Sequence, residues 1–202
     1  MVNNSKSHAH VRALVESALL VAIGFVLSYF KFGAPWLQGG SVTPFSMLPI
    51  LMIGLRHGLK WGLCGGFVFA GLQMLQQFYA PPSATVEGFI AVIMLDYIVA
   101  FTALGLSGLF KGKQYGLLFA APLCYSLRFL CHFVSGIIVW GVFAPEGVQV
   151  WIYSLTYNGT YMGVELVLTM VLGAVLCTTA PSLFVVSSVP KAGEVSNDVS
   201  DS

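Results

Sequence analysis

Charge is scarce in this chain. Only 8% of its 202 residues are charged, against about 25% in an ordinary soluble domain. Nine basic and eight acidic residues leave a net charge of +1, so no global field favours nucleic acid. Cysteine is sparse too: Cys64, Cys124, Cys131 and Cys177 sit within apolar stretches, without metal-ligand spacing. They read as small apolar residues, and neither a metal nor a cofactor is expected. There are four histidines, His8, His10, His57 and His132. The G-x-x-x-x-G-K-[ST] pattern is missing, which excludes ATP hydrolysis by a P-loop in this chain. No small-residue cleavage site follows the first apolar run, so that run reads as a retained span rather than a signal peptide.

What is abundant is apolar sequence, 57% of residues. The expected fold class is an all-α integral membrane protein with six transmembrane helices. Their expected ranges are 11–31, 42–56, 59–79, 87–109, 117–140 and 150–178, against the roughly 20 residues that cross a bilayer. The second is short and holds Pro44 and Pro49, so it is expected to be kinked or partly irregular, which membrane depth tolerates only beside a cavity or inside protein. Residues 1–10 read as a cytoplasmic segment, 11–180 as the membrane domain, and 181–202 as a polar, disordered cytoplasmic tail. Lys6, Arg12, Arg56, Lys60, Lys111, Lys113 and Lys191 fall on one side of this layout, and only Lys31 falls clearly on the other. The positive-inside rule then places both termini in the cytoplasm.

The most informative segment is 128–140. Arg128, His132, Gly136 and Trp140 recur every four residues and form one slowly drifting helical stripe. Ionisable groups in a membrane segment face a protein interior or a wet cavity. Counting inward from the outer helix ends, Asp96, His132 and Asn158 all lie about 12–13 Å deep. Trp36, Trp140, Trp151 and Tyr153 lie above them. The pattern predicts a cup open to the outside, with a polar floor and an aromatic rim. Each member also has a plainer role, as an interfacial anchor or an interhelical hydrogen bond. Asp96 needs a partner at that depth, and Arg128 is the available cation. Glu165, about 10 Å deeper than Asn158, falls outside this cup and reads as structural or stays unexplained.

Other patterns are architectural. Gly54, Gly58, Gly62, Gly66 and Ala70 form a ladder of small residues suited to close helix contact within the chain. Gly159 and Gly163 repeat it in the last span. Ala18 and Ala22 repeat it in the first, where the groove can serve this chain or a partner. Gly105–Leu106–Ser107–Gly108 resembles the G-x-S-G motif of rhomboid intramembrane proteases. That chemistry needs a histidine base on the sixth helix, and none is there.

A broader resemblance covers about Val11 to Cys177. It rests on His132–Phe133, Ser135–Gly136–Ile137–Ile138 and Trp140, then Tyr153–Ser154–Leu155 and Asn158–Gly159. Leu48–Pro49–Ile50, Leu55–Arg56, Asp96–Tyr97, the Gly-Leu-Phe-Lys run ending at Lys111, and Ala18-x-x-x-Ala22 support it. Together these resemble the thiamine-specific S component of energy-coupling factor transporters. The resemblance implies a six-helix membrane protein that binds thiamine from outside. It also implies docking, through Ala18 and Ala22, on a transmembrane coupling subunit that carries two ATPase subunits. His132, Trp140, Tyr153 and Asn158 fall on the family's binding positions. Asp96 and Tyr97 fall on an acidic–Tyr pair whose acid is Glu in the family. The family's first-loop Trp and Glu fall on Gly40 and Pro44. Trp36 is the available substitute for the aromatic, and nothing obvious replaces the carboxylate.

The expectation is therefore a substrate-binding subunit for thiamine uptake in the cell membrane of a prokaryote, not an enzyme. An S component for a related heterocycle, such as a pyrimidine precursor, and a self-sufficient small vitamin carrier stay open as alternatives.

Overall fold

The computed structural model describes residues 2–37 and 40–184, apart from the side chains of residues 2–6 and 36. The elements are helix α1 (Val2–Leu27), two two-residue strands β1 (Phe32–Gly33) and β2 (Ser41–Val42), and helices α2 (Leu48–His57), α3 (Leu59–Gln76), α4 (Val86–Phe110), α5 (Gly116–Ile138) and α6 (Val150–Thr179). Among the described residues, four helices are long and apolar enough to cross a membrane: Ser7–Leu27 within α1, and α4, α5 and α6. α2 has only ten residues, about 15 Å of rise.

α1 runs back to Val2, so residues 2–10 are helical and continuous with the first span. It stops at Leu27, short of the expected 31, where the Ser28 hydroxyl turns back to the Phe25 carbonyl (2.7 Å) and reaches Gln76 (2.7 Å). α2 begins at Leu48, not 42. Pro44 lacks a backbone donor, Phe45 takes a left-handed φ of 63°, and Pro49 fits the first helical turn. Residues 43–47 are thus the irregular backbone expected around the two prolines. β1 and β2 pair antiparallel, Phe32 against Val42, and close the first connection as a hairpin.

α4 is not uniform. Thr85 caps it by accepting from the Gly88 amide (3.2 Å). Val92–Ile98 then widens into π-helix, and Ala103–Phe110 tightens into a 3₁₀ stretch. The tight stretch presses its backbone onto α3: a Cβ on Gly105 would overlap the backbone of Gly62 and Leu63. Gly54 lies equally close to Ser107. The expected small-residue ladder therefore does pack within the chain. Ser107 is buried and donates to the Leu51 carbonyl (2.9 Å), which is a packing role. In the α6 pair, by contrast, a Cβ on Gly159 would meet only the Phe129 ring of α5 at 3.8 Å, and Gly163 has open space where a Cβ would stand, so this pair brings no backbones together.

One end of the bundle is tied by ions. Glu16 accepts from Arg12 (2.7 Å) and Arg56 (2.8 Å) and lies 2.9 Å from His57. Arg56 also donates to the carbonyls of Ser182 (3.0 Å) and Leu183 (2.8 Å). Chain order thus continues past 181 to Phe184, which is fully buried. The remainder of the expected tail, from 185, lies outside the described residues. The outward faces are apolar: Leu19, Phe119, Val167 and Val171 are all exposed, as suits a protein solvated by lipid.

The glycine contacts give a direct test. Gly105→Val should destabilise the purified protein in detergent by about 1–3 kcal/mol or more, read from thermal unfolding, because neither backbone can yield. Gly163→Ala should leave the melting temperature unchanged or slightly higher.

Candidate functional site

A cavity of about 540 Å³ lies between α3, α4, α5, α6 and the first connection, within the range of small-molecule sites. Asp96 reaches it from the π-helical part of α4. A π turn is rare and re-aims side chains at functional sites. Here it puts Asp96 opposite α5, where three donors meet one carboxylate. Ser135 Oγ donates to Oδ2 (2.8 Å), Trp140 Nε1 donates to Oδ2 (2.9 Å), and His132 Nδ1 lies 3.1 Å from Oδ1. With Nδ1 as the donor to a carboxylate, the neutral tautomer leaves Nε2 as an acceptor. His132 Nε2 is buried and has no partner among the described residues.

The stripe at 128–140 is therefore real, but its members divide. α5 ends at Ile138, so Trp140 lies just beyond it, close enough for its indole to reach Asp96. Gly136 is the contact point with α6, where a Cβ would overlap the Ser154 side chain. Arg128 does not pair with Asp96, the pairing the sequence suggested. Its Nη1 donates to Glu165 Oε2 (3.0 Å), and Phe101 lies under the guanidinium at 5.0 Å. Glu165 is not remote from the cavity: it lines it and is 2% exposed.

Tyr97, Tyr153 and Asn158 also line the cavity. The Tyr97 hydroxyl donates to the Gln77 carbonyl (2.8 Å) and accepts from the Tyr79 amide (3.1 Å). This locks the π segment onto the end of α3 and leaves the ring for the cavity. Asn158 donates to the carbonyls of His132 (3.3 Å) and Ser154 (3.0 Å), and its Oδ1 accepts from Tyr161 (3.1 Å). In this state its polar atoms brace α5 against α6. Tyr153 heads a row with Tyr157 and Tyr161, ring centroids 5.8 and 5.9 Å apart. Tyr157 and Tyr161 were missed, although their four-residue spacing after Tyr153 was legible. Trp151 is exposed and away from the cavity, so it does not belong to the rim. The Trp36 backbone lies in the turn Pro35–Leu37, and its side chain lies outside the described residues.

The first connection explains the departures at 40 and 44. A Cβ on Gly40 would stand 2.8 Å from the Tyr161 ring, so an aromatic there would compete with Tyr161 for the same space. The carboxylate that touches this loop comes from α6. Glu165 Oε1 accepts from the Thr43 amide and the Thr43 hydroxyl, both at 2.8 Å.

Fold and site together define a multi-pass membrane protein built around a small-molecule cavity lined by two polar clusters. The thiamine transporter protein family (Thia_YuaJ) matches residues 14–185. The thiamine transporter ThiT of Bacillus subtilis (strain 168) is 36% identical over 187 residues, covering 84% of this chain and 92% of that protein. ThiT of Lacticaseibacillus paracasei is 31% identical over 197 residues, covering 89% and 94%. A solved structure of ThiT from Listeria monocytogenes superposes with a TM-score of 0.72 at 22% identity, covering 88% of this chain and 99% of that one. That last likeness concerns the fold. The chain belongs to the thiamine transporter protein family, and it is not an enzyme.

Asp96 depends on its donors, which predicts a measurable cost. Trp140→Phe keeps a ring but removes the N–H, and Ser135→Ala removes a hydroxyl. Each should lower stability in detergent by about 1–3 kcal/mol, as for lost hydrogen bonds to a charged group. Unfolding curves identical to wild type would show that Asp96 does not need them.

Proposed function

We propose that this chain is the substrate-binding membrane subunit of an energy-coupling factor transporter and captures thiamine at the outer face of a prokaryotic plasma membrane. Asp96 carries the reading: a carboxylate is held by three donors beside an imidazole whose second nitrogen has no partner among the described residues, within an aromatic-walled cavity of a thiamine transporter family member. Thiamine joins an aminopyrimidine to a permanently cationic thiazolium. Asp96 can accept the exocyclic amine, and His132 Nε2 can accept a proton or pair with a ring nitrogen through water. Tyr153, Tyr97 and Trp140 can face the flat rings, and an aromatic face attracts a cation by about 0.5–2 kcal/mol. Asn158 holds the α5–α6 wall on which these groups stand. Six crossings with both termini cytoplasmic follow from the basic-residue asymmetry, with α2 and α3 completing the bundle.

Calorimetry on the purified chain tests the substrate. Thiamine should bind at one site, and Asp96→Asn should weaken it by about 1–3 kcal/mol, the scale of a buried charge-assisted bond. Wild-type protein that ignores thiamine but binds an aminopyrimidine alone would favour the pyrimidine-precursor reading instead.

Docking on the coupling subunit is assigned to α1. Ser17 and Val21 are buried against the bundle, while Ala18 and Ala22 are exposed one turn apart on the outer side. Small residues there let another helix approach closely. Ala18→Trp should leave thiamine binding by the purified chain intact and abolish uptake in cells that carry the coupling module. Loss of binding together with uptake would count against a partner surface, and normal uptake would remove it.

A further inference from the structure

Glu165 and Arg128 form the second polar cluster of the cavity. Both are buried, at 2% and 5% exposure, and both line it. One oxygen of Glu165 takes the guanidinium and the other takes two donors from Thr43. Arg128 gives Glu165 a single nitrogen, and its buried Nε has no partner among the described residues. The other charged groups at the cavity are Asp96 and, at the exposed rim, Lys31. Its buried part therefore holds two carboxylates against one guanidinium.

We propose that Glu165 is a specificity-determining residue that selects the free vitamin over its phosphate esters. This deepens the proposed function and rests on it. The argument is electrostatic. A guanidinium in a cavity is the group best suited to a phosphate, because its donors form a rigid fork. Glu165 occupies one arm of that fork and cancels its charge, so an incoming phosphate meets Asp96 and Glu165 before it gains Arg128. A thiazolium, by contrast, meets net negative charge. The uncommitted Arg128 Nε still suits a neutral oxygen such as a hydroxyl. Thr43 fixes the geometry: its amide and hydroxyl orient the Glu165 carboxylate, and the turn they belong to holds Phe45 at φ 63°. That left-handed conformation is strained for a bulky side chain and persists only where its surroundings impose it.

The test is the ratio of affinities for thiamine and thiamine monophosphate, measured by calorimetry on the purified full chain. Glu165→Gln frees Arg128 and removes one carboxylate, so the preference for thiamine should fall by about tenfold or more, on the scale of one charged contact. Arg128→Gln should move the ratio the other way. The double variant Arg128→Gln with Glu165→Gln should lose the gain in monophosphate binding seen in Glu165→Gln alone. If Glu165→Gln yields no folded protein, a buried charge having been left unpaired, the opposite shift in Arg128→Gln carries the test. Ratios within about twofold of wild type in every folded variant would overturn the inference and leave Glu165 a purely structural partner. Wild-type protein that binds neither compound would instead overturn the reading beneath it, and the inference with it.

Discussion

A carboxylate at membrane depth is the constraint around which this protein is organised. A carboxylate left without partners in an apolar interior is costly. Three donors on α5 and just beyond it remove that cost. To meet them, α4 opens into a π turn at Val92–Ile98, α5 ends at Ile138 so that Trp140 can fold back, and His132 is fixed with one nitrogen toward Asp96. The cavity is the space these adjustments leave. Its polarity and its shape therefore have one origin.

The contact between α5 and α6 is built by the same logic. α5 and α6 meet through a descending series of polar contacts: Ser154 to the Phe133 carbonyl (2.8 Å), Asn158 to the His132 carbonyl, Arg128 to Glu165, and Tyr125 to Thr169 (2.9 Å). Interhelical hydrogen bonds of this kind orient membrane helices where lipid supplies no hydrophobic drive between them. Below the cavity the adhesive changes. Gly54, Gly62 and Gly105 bring backbones together there, and the Glu16–Arg56 pair closes that end of the bundle. A polar upper half around a binding space and a tightly packed lower half suit a protein that takes up a ligand from one side.

Much of this was legible in the sequence because spacing on a helix is a strong signal. The stripe of Arg128, His132, Gly136 and Trp140, the shared depth of Asp96, His132 and Asn158, and the glycine ladder all follow from 3.6 residues per turn. What escaped depends on departures from that period. A π turn and a 3₁₀ stretch in α4 cannot be read from hydropathy, so the partners of Asp96 were misjudged and Arg128 was offered instead of Ser135 and Trp140. Glu165 was set apart from the cup on depth, because a straight count along α6 leaves out the first connection, whose Thr43 meets Glu165. The α1 boundary moved for a local reason, the Ser28 hydroxyl bonding back to its own helix.

The central claim is that this cavity holds thiamine, and native mass spectrometry tests it most directly. The chain, extracted mildly from cells grown with the vitamin, should carry one noncovalent adduct of thiamine mass per polypeptide. That adduct should disappear after exhaustive dialysis and return on adding thiamine. A chain that stays bare in saturating thiamine, or that carries a different heterocycle in its place, would contradict the account.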